Sequence, residues 1–231
     1  MFVFRDSLEA TSTTSRVDVA FTDSSLDLGE GPGTDLRRLD KQLTLLGAAC
    51  GAHVVRMRQV HGADVQTVED LTSPPSQVDA LVTTQTGVAL IARVADCVPL
   101  LLADASAGVI AAVHSGRPGL TARVVPAAIA RMRELGASDV AAWVGPHVCG
   151  RCYEVPTEMR DEVSALVPEA FAETSWGTPA LDIGAGVRAQ LAAEGITATV
   201  VDRCTREDPE LHSYRRDGAD AGRLAGLVWL S

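Results

Sequence analysis

The chain has 231 residues, of which 30 are acidic, 20 are basic and 46% are hydrophobic, and its formal charge is −10. This acidic balance, without basic runs longer than arginine pairs, argues against a general nucleic-acid binder, because phosphate neutralisation requires a basic patch. The chain also lacks an apolar segment of the roughly 18 residues that span a membrane, and its start lacks the pattern of a signal peptide, so we expect a cytoplasmic protein.

The hydrophobic pattern predicts one domain over residues 1–231. The first third predicts a strand near residues 17–20, a Gly/Pro/Asp loop over residues 29–35 and a helix over residues 36–46. Residues 54–60 and 64–68 alternate apolar and polar side chains and predict two strands, joined by a hairpin or bulge at Gly62 and Ala63.

The middle of the chain is the richest in strands. Apolar runs predict strands at 78–82, 88–94, 98–103 and 109–113, and the short breaks between them favour antiparallel neighbours. A helix is expected over about residues 120–135, where Pro126 marks either its start or a kink. The remaining elements are predicted as strands at 140–144, 197–201 and 224–230 and helices at 158–166 and 182–194. This order predicts an α+β fold in which helices pack outside a mixed sheet core.

Three potential metal ligands lie where predicted strands begin or end: His61, Cys97 and His114. Two imidazoles and one thiolate form a good zinc set that leaves the fourth position for water or substrate, as in catalytic sites. Without a metal, His114 is placed to activate Cys97 as a nucleophile. The spacing matches no local zinc signature, and an inert cysteine with ordinary histidines is the simpler interpretation of the spacing alone.

The five cysteines are too few and too scattered for a disulfide framework, and their odd number leaves one unpaired. Cys50 ends an Ala/Leu-rich helical stretch and is interpreted as core. Cys149 and Cys152 form a CxxC pattern that suggests a second zinc or a redox site. A single CxxC without a partner pair is a weak signal, so the structural interpretation is favoured.

Several motifs occur in the order seen in one family: Gln59-Val60-His61-Gly62, Ala95-Asp96-Cys97-Val98-Pro99-Leu100-Leu101, Ala112-Val113-His114-Ser115-Gly116, Val144-Gly145-Pro146, Cys152-Tyr153-Glu154-Val155, Leu181-Asp182-Ile183, Cys204-Thr205, Ser213-Tyr214-Arg215-Arg216-Asp217-Gly218 and Gly222-Arg223. From about residue 15 to its end, the chain resembles the laccase-domain proteins, also called multicopper polyphenol oxidoreductases and purine nucleoside phosphorylases.

The resemblance implies a mixed β-sheet sandwich covered by helices, similar to the cysteine-hydrolase fold of cytotoxic necrotizing factor toxins. It also implies that His61, Cys97 and His114 bind zinc and form the catalytic centre. The activities it implies are phosphorolysis of adenosine, inosine, guanosine and methylthioadenosine, and adenosine deamination. Copper-dependent phenol oxidation and peptidoglycan editing are further activities associated with the family.

Two segments depart from the family pattern. The family usually has His-Ala-Gly-Trp-Arg-Gly at the second histidine, whereas here Gly116-Arg117-Pro118-Gly119 follows His114-Ser115, which loses the tryptophan and shifts the arginine. Residues 21–29 are a shortened form of a longer loop. Both differences concern substrate contacts, while the three expected ligands are retained.

Five further residues are candidates for substrate binding: Gln59, Asp96, Tyr153, Arg215 and Arg216. An arginine is needed to hold phosphate, and Arg215 is favoured over Arg216 and the displaced Arg117. Surface solvation or a structural ion pair is the alternative role for these arginines. Asp96 either bonds a ligating histidine or caps a turn. Tyr153 either stacks on a base or belongs to the core.

The sequence therefore predicts a zinc-dependent purine nucleoside phosphorylase, with copper as the alternative metal and adenosine deamination as a second activity. Its partners would be a purine nucleoside and phosphate, and it would act as a monomer or homodimer without nucleic acid or membrane. The competing hypotheses are a metal-free Cys–His amidase that edits peptidoglycan precursors, a copper-dependent polyphenol oxidase, and a purine-binding homologue with impaired catalysis.

Overall fold

A computed structural model describes residues 1–10, 16–30 and 35–231. The strands are β1 (Phe2–Glu9), β2 (Arg16–Thr22), β3 (His53–Arg56), β4 (Val65–Thr67), β5 (Ala80–Thr83), β6 (Val88–Val94), β7 (Val98–Asp104), β8 (Val109–Ser115), β9 (Ala141–Val144), β10 (Phe171–Glu173), β11 (Pro179–Leu181), β12 (Ala198–Val200) and β13 (Leu224–Leu230). The α-helices are α1 (Leu36–Cys50), α2 (Arg117–Thr121), α3 (Val124–Glu134), α4 (Thr157–Leu166), α5 (Ile183–Ala193) and α6 (Tyr214–Asp217).

Two mixed sheets contain most of these strands. The first sheet has the order β1-β2-β13-β6-β3 and the second has the order β12-β9-β7-β8-β5-β4. In the first sheet, β3 runs parallel to β6 while the other pairs are antiparallel. In the second, β4 and β12 run parallel to their neighbours and the central strands are antiparallel. Strands β10 and β11 form a separate hairpin.

The two sheets pack face to face, and helices cover their outer faces. Leu101 of β7 and Ile110 of β8 share one buried cluster with Leu90 and Val228 of the first sheet. The neighbouring residues Leu100 and Leu102 point the other way, into a cluster with helices α2 to α5. This alternation is the period of two that a strand imposes on its side chains. The four central strands are buried along their whole length because both faces of each sheet are covered.

Helix α1 covers the outer face of the first sheet. Asp35 caps its N-terminus by accepting hydrogen bonds from the backbone N–H groups of Arg37 and Arg38, and Gly51 ends it in the left-handed conformation. Leu39 and Leu46 lie seven residues apart on one face of the helix and pack into the cluster on that sheet. No helix in the described ranges is both long and apolar enough to span a membrane.

The predicted α+β fold with a helix-covered mixed sheet core is confirmed. Most predicted helices and strands are present with small shifts at their ends, but the strand predicted at 54–60 ends at Arg56, and the helix predicted at 120–135 is divided at residues 122–123 into α2 and α3. Pro126 lies in the first turn of α3, where proline is tolerated. Strand β1, the hairpin β10–β11 and the short helix α6 were not predicted. Part of the predicted loop at 29–35, residues 31–34, lies outside the described residues.

The predicted hairpin at Gly62 and Ala63 is wrong. Strand β3 pairs with β6 in the first sheet, whereas β4 pairs with β5 in the second. The chain therefore crosses between sheets at this point instead of folding back on itself. Antiparallel pairing of successive strands holds for β7 and β8, but β6 lies in the other sheet from β5 and β7.

Packing between the sheets predicts that alanine substitution of two leucines, one buried and one exposed, will change the free energy of unfolding by very different amounts. Leu101 is fully buried between the sheets, and we expect Leu101→Ala to lower the free energy of unfolding by about 2–5 kcal/mol. Leu166 is 69% exposed at the end of α4, so Leu166→Ala should change it by less than about 0.5 kcal/mol. Urea unfolding followed by circular dichroism measures both values, and equal losses would contradict the proposed core.

Candidate active site

His61, Cys97 and His114 come together at one end of the second sheet. Cys97 immediately precedes β7 and His114 lies near the end of β8, and the antiparallel register places them together because it pairs Pro99 with His114. His61 lies in the segment that crosses from β3 to β4. One imidazole nitrogen of each histidine and the Cys97 sulfur lie within 4.8 Å of one another, and His61 Nε2 is 3.9 Å from Sγ.

Asp79, the residue directly before β5, holds both histidines in place. His114 Nδ1 donates a 2.8 Å hydrogen bond to Asp79 Oδ1, and both side chains are buried. The same carboxylate accepts hydrogen bonds from the backbone N–H groups of Val60, His61 and Gly62 at 3.2, 3.0 and 2.6 Å. Because Nδ1 is engaged, the other ring nitrogen of His114 is the one that faces Cys97.

Two residues of the site adopt backbone conformations that are unfavourable for their type. His61 has a φ of 61° and Asp96 has a φ of 87°. Such positive values cost free energy in residues other than glycine and persist where the surroundings enforce them. Asp79 enforces the conformation of His61 through the three backbone bonds. Gly116 packs against the side chains of His61 and Cys97. A Cβ atom added at this glycine would lie 2.8 Å from His61 Cδ2 and 3.0 Å from the Cys97 sulfur.

The electrostatics favour a thiolate beside a protonated imidazole. Burial opposes ionisation of Cys97, but hydrogen bonds from His114 and His61 outweigh it and lower the pKa of the thiol to about 6. Burial likewise opposes a charge on His114, but its bonds to Asp79 and Cys97 raise its pKa to about 9. The pair is therefore charged at neutral pH in the absence of metal.

A cavity of about 640 Å³ opens beside the three residues. Its volume lies within the range of about 300–1,000 Å³ typical of small-molecule sites. Its walls include both polar groups and apolar surface: His61, Ala95, Asp96, Cys97, Gly116, Arg117, Val148, Tyr153, Ile183, Tyr214, Arg215 and Arg223. Three of these residues are arginines and one is an aspartate, so the lining is positive in a protein whose overall charge is −10.

Asp96 joins the neighbouring segments to the site. Its carboxylate accepts a hydrogen bond from the Thr205 hydroxyl and another from the Arg215 backbone N–H, both at 2.6 Å. The Arg215 guanidinium lies over the Tyr153 ring, 4.4 Å from its centre, and donates a 2.7 Å bond to the Glu154 carbonyl. Asp96 thus fixes two loop segments and bonds neither histidine, and Tyr153 and Arg215 form one wall of the cavity.

Two predicted substrate-binding residues lie elsewhere. The Gln59 amide donates to the Arg93 carbonyl and accepts from its N–H, which ties this segment to β6. The Arg216 guanidinium donates to the carbonyl oxygens of Thr205, Asp208 and Leu211 and pairs with Asp217. Neither residue lines the cavity. The contacts of Arg216 match the structural alternative given for it above.

Sequence analysis missed Asp79, Tyr214 and Arg223. Asp79 is a single acidic residue directly before an apolar strand, and this position is the only local signal for its role. Tyr214 and Arg223 belong to motifs that carry the family resemblance, which would have marked them as site residues. Arg117, which belongs to the segment that differs from the family pattern, lines the cavity.

The donor set fits a bound metal ion. Two imidazole nitrogens and a sulfur that is readily deprotonated match the preferences of zinc and copper for nitrogen and sulfur ligands. The carboxylate of Asp79 on His114 is the outer partner that ligating histidines commonly have. Three protein ligands beside an open cavity leave a coordination position for water or substrate.

The chain belongs to the family described as multi-copper polyphenol oxidoreductase laccase, whose sequence model matches residues 10–231. A Streptomyces coelicolor protein named purine nucleoside phosphorylase is 53% identical over 213 residues, which cover 89% of this chain and 88% of that protein. A Streptomyces griseus protein with the same name is 55% identical over 185 residues, covering 78% and 75%.

The fold is also that of solved relatives. The crystal structure of a Neisseria meningitidis protein of the DUF152 family superposes with a TM-score of 0.85 at 26% identity, over 100% of this chain and 99% of that one. The agreement extends over both sheets and therefore includes the sheet end that carries the candidate ligands.

The charged pair predicts the reactivity of Cys97 in protein freed of metal by a chelator. The rate of modification by iodoacetamide should rise with pH to a half-maximum near pH 6 and then level off, because the thiolate is the reactive form. Cys50 is the internal control, since burial raises its pKa to about 11 and should keep it slow. Mass spectrometry of the labelled peptides measures both rates.

An alkylation rate of Cys97 that still rises steeply above pH 8, as for an ordinary thiol, would contradict a thiolate–imidazolium pair of Cys97 and His114. Added Zn²⁺ should suppress labelling of Cys97 and leave Cys50 unchanged. Asp79→Asn should move the half-maximum of Cys97 to higher pH, because it removes the carboxylate that keeps His114 protonated.

Proposed function

We propose that the protein is a metal-dependent purine nucleoside phosphorylase with zinc as its metal. The observation that carries this proposal is the positive, nucleoside-sized cavity beside the His61, Cys97 and His114 cluster. The name shared by relatives at 44–55% identity supports the same activity. Adenosine, inosine, guanosine and methylthioadenosine are the proposed substrates, with adenosine deamination as a second activity.

Phosphorolysis requires an anion held against the sugar. The bond between the sugar C1′ and the purine nitrogen breaks, and a phosphate oxygen forms the new bond to C1′. The purine leaves with the electron pair and takes up a proton, so free base and ribose 1-phosphate are the products. A site for this reaction has to attract phosphate and to stabilise positive charge on the sugar.

The arginines supply the attraction for phosphate. Three arginines line the cavity, each from a different segment of the chain: Arg117, Arg215 and Arg223. A bound phosphate would therefore lie among several positive charges instead of pairing with a single arginine. Arg215 is the best oriented, because Tyr153 supports its guanidinium from one face and Glu154 holds one end. Its remaining N–H donors suit the bidentate geometry of phosphate oxygens.

The metal ligands and the aromatic wall act on the rest of the substrate. His61, Cys97 and His114 would hold the ion, which supplies Lewis-acid polarisation of a substrate atom when bound. Tyr153 and Tyr214 present ring surface to the cavity and suit a purine or ribose face. Asp96 keeps Arg215 and the Thr205 segment in register with Cys97, and so acts as a positioning residue.

One observation favours a second candidate function. Cys97, His114 and Asp79 form a chain of a lowered-pKa thiol, a raised-pKa imidazole and a buried carboxylate. This is the arrangement of a cysteine nucleophile, its base and an orienting acid. A metal-free Cys–His amidase acting on peptidoglycan precursors is the corresponding hypothesis, and it differs in its response to metal.

The direct test incubates zinc-loaded protein with adenosine, inosine, guanosine or methylthioadenosine in phosphate. We expect phosphate-dependent release of the free base, with inosine from adenosine as the sign of deamination. Chromatography separates these products. Cys97→Ala should remove the ion held with His61 and His114, and with it the activity, whereas Cys50→Ala should retain both. Absence of base release by protein with confirmed zinc would refute the phosphorylase, and base release that survives chelation would refute its dependence on metal.

The phosphate assignment predicts a selective effect of Arg215→Met. The KM for phosphate should rise about 10- to 100-fold, the equivalent of one hydrogen-bonded charge contact of about 1.5–3 kcal/mol. Arg37→Met on the exposed face of α1 is the matched control and should leave KM unchanged. Steady-state kinetics with phosphate varied at saturating nucleoside measures both, and an unchanged KM in Arg215→Met would contradict the assignment.

A further inference from the structure

A second cluster of metal-binding side chains lies outside the candidate active site. It brings together the CxxC residues Cys149 and Cys152, which follow β9, with Cys204 and Glu207, which follow β12. The three sulfur atoms and a carboxylate oxygen lie within 4.8 Å of one another. The sequence shows no second pair of ligands near the CxxC motif. The parallel pairing of β9 with β12 brings the ends of these two strands together, and so places Cys204 and Glu207 beside Cys149 and Cys152.

We propose that Cys149, Cys152, Cys204 and Glu207 form a closed, structural zinc site. Three thiolates and one carboxylate complete a tetrahedral zinc shell without a position for substrate, in contrast to the three-ligand cluster. Three sulfur ligands at about 2.3 Å from zinc lie about 3.8 Å apart in a tetrahedron, and a carboxylate oxygen at about 2.0–2.2 Å lies slightly closer to them, so the cluster needs only a small contraction to bind the ion. The soft sulfur donors disfavour magnesium or calcium.

Hydrogen bonds connect the members of the cluster, and one backbone donor points at a sulfur. The Cys149 backbone N–H points at the Cys204 sulfur over 3.4 Å, and the Cys152 thiol donates to Glu207 Oε1 at 3.3 Å. The Cys152 N–H donates to the Cys149 carbonyl at 2.9 Å, which closes the CxxC turn. Backbone donors to sulfur stabilise the negative charge that metal-bound cysteines carry.

The charges around the cluster are consistent with an anionic metal site. Four anionic ligands and one Zn²⁺ leave an excess of two negative charges. Arg206 donates to the Cys152 carbonyl at 3.0 Å, and Arg151 lies 4.0 Å from Glu207. Burial is the main cause that raises the pKa of Cys149 and of Cys152, so each thiol releases a proton to solvent when the metal binds.

The zinc site would hold in place two parts of the active-site cavity wall, those formed by Tyr153 and by Asp96. Tyr153 follows Cys152 directly and carries the Arg215 guanidinium on its ring. Thr205 follows Cys204 directly and bonds Asp96. Cys149 and Cys204 are 55 residues apart, and a shared ion would add to the backbone hydrogen bonds that already join their segments. The metal would therefore preserve the cavity without touching substrate.

The test is zinc content by elemental analysis of the full chain purified with Zn²⁺ and dialysed. We expect two zinc ions per wild-type chain and one in Cys204→Ser, which should retain the ion bound by Cys97. Cys97→Ala should also contain one, and Cys50→Ser is the matched control with two. One zinc in the wild type, lost in Cys97→Ala and unchanged in Cys204→Ser, would overturn the proposal whether or not the phosphorylase activity is found.

A measurement on the wild type covers the case in which Cys204→Ser does not fold. Iodoacetamide should leave Cys204 unlabelled in zinc-loaded protein and label it after chelation, whereas Cys149 and Cys152, whose pKa burial raises, should react slowly in both. Denatured, chelated protein prepared without reductant should expose all five thiols. Labelling of Cys204 that is unaffected by the chelator would overturn the metal site, as would a count of three thiols, which would indicate a disulfide.

Discussion

The candidate active site depends on the buried carboxylate of Asp79. It binds His114 through Nδ1 and holds the backbone of residues 60–62, so one side chain orients two of the three expected ligands. A buried carboxylate is costly unless its oxygens are satisfied, and here hydrogen bonds from both sources outweigh the burial and lower its pKa. The strained conformation of His61 follows from this constraint, as does the free ring nitrogen of His114.

Charge distribution connects this cluster to the proposed reaction. An overall charge of −10 repels phosphate, yet the cavity collects three arginines from separate segments. The Arg215 segment is held by hydrogen bonds to Asp96 and Glu154, whereas Arg117 lies two residues after β8 and Arg223 directly before β13. Local positive charge within an acidic protein therefore arises from tertiary contacts, and a metal ion at the ligand cluster would add to it.

The sequence predicted the parts of the structure that depend on local pattern. The four strands buried on both faces were recognised from their apolar runs, and helices α1, α3, α4 and α5 from spacing and breakers. Which sheet each strand joins was not predicted, because fully apolar strands carry no signal that distinguishes their partners. The crossing at Gly62 was predicted as a hairpin or bulge, because the alternating pattern on either side of it does not show which sheet each strand joins. Asp79, Glu207 and the partnership of Cys204 with the CxxC depend on contacts between residues far apart in the chain, which motif spacing does not encode.

His61, Cys97 and His114 are proposed to hold one metal ion beside the arginine-lined cavity. Anomalous diffraction at the zinc absorption edge, from crystals of protein loaded with Zn²⁺ at neutral pH, would locate that ion. We expect a peak bonded to the Cys97 sulfur at about 2.3 Å and to both histidines at about 2.0–2.1 Å, with His114 still hydrogen-bonded to Asp79. Zinc-loaded crystals without a peak between these three residues would show that they do not bind the metal.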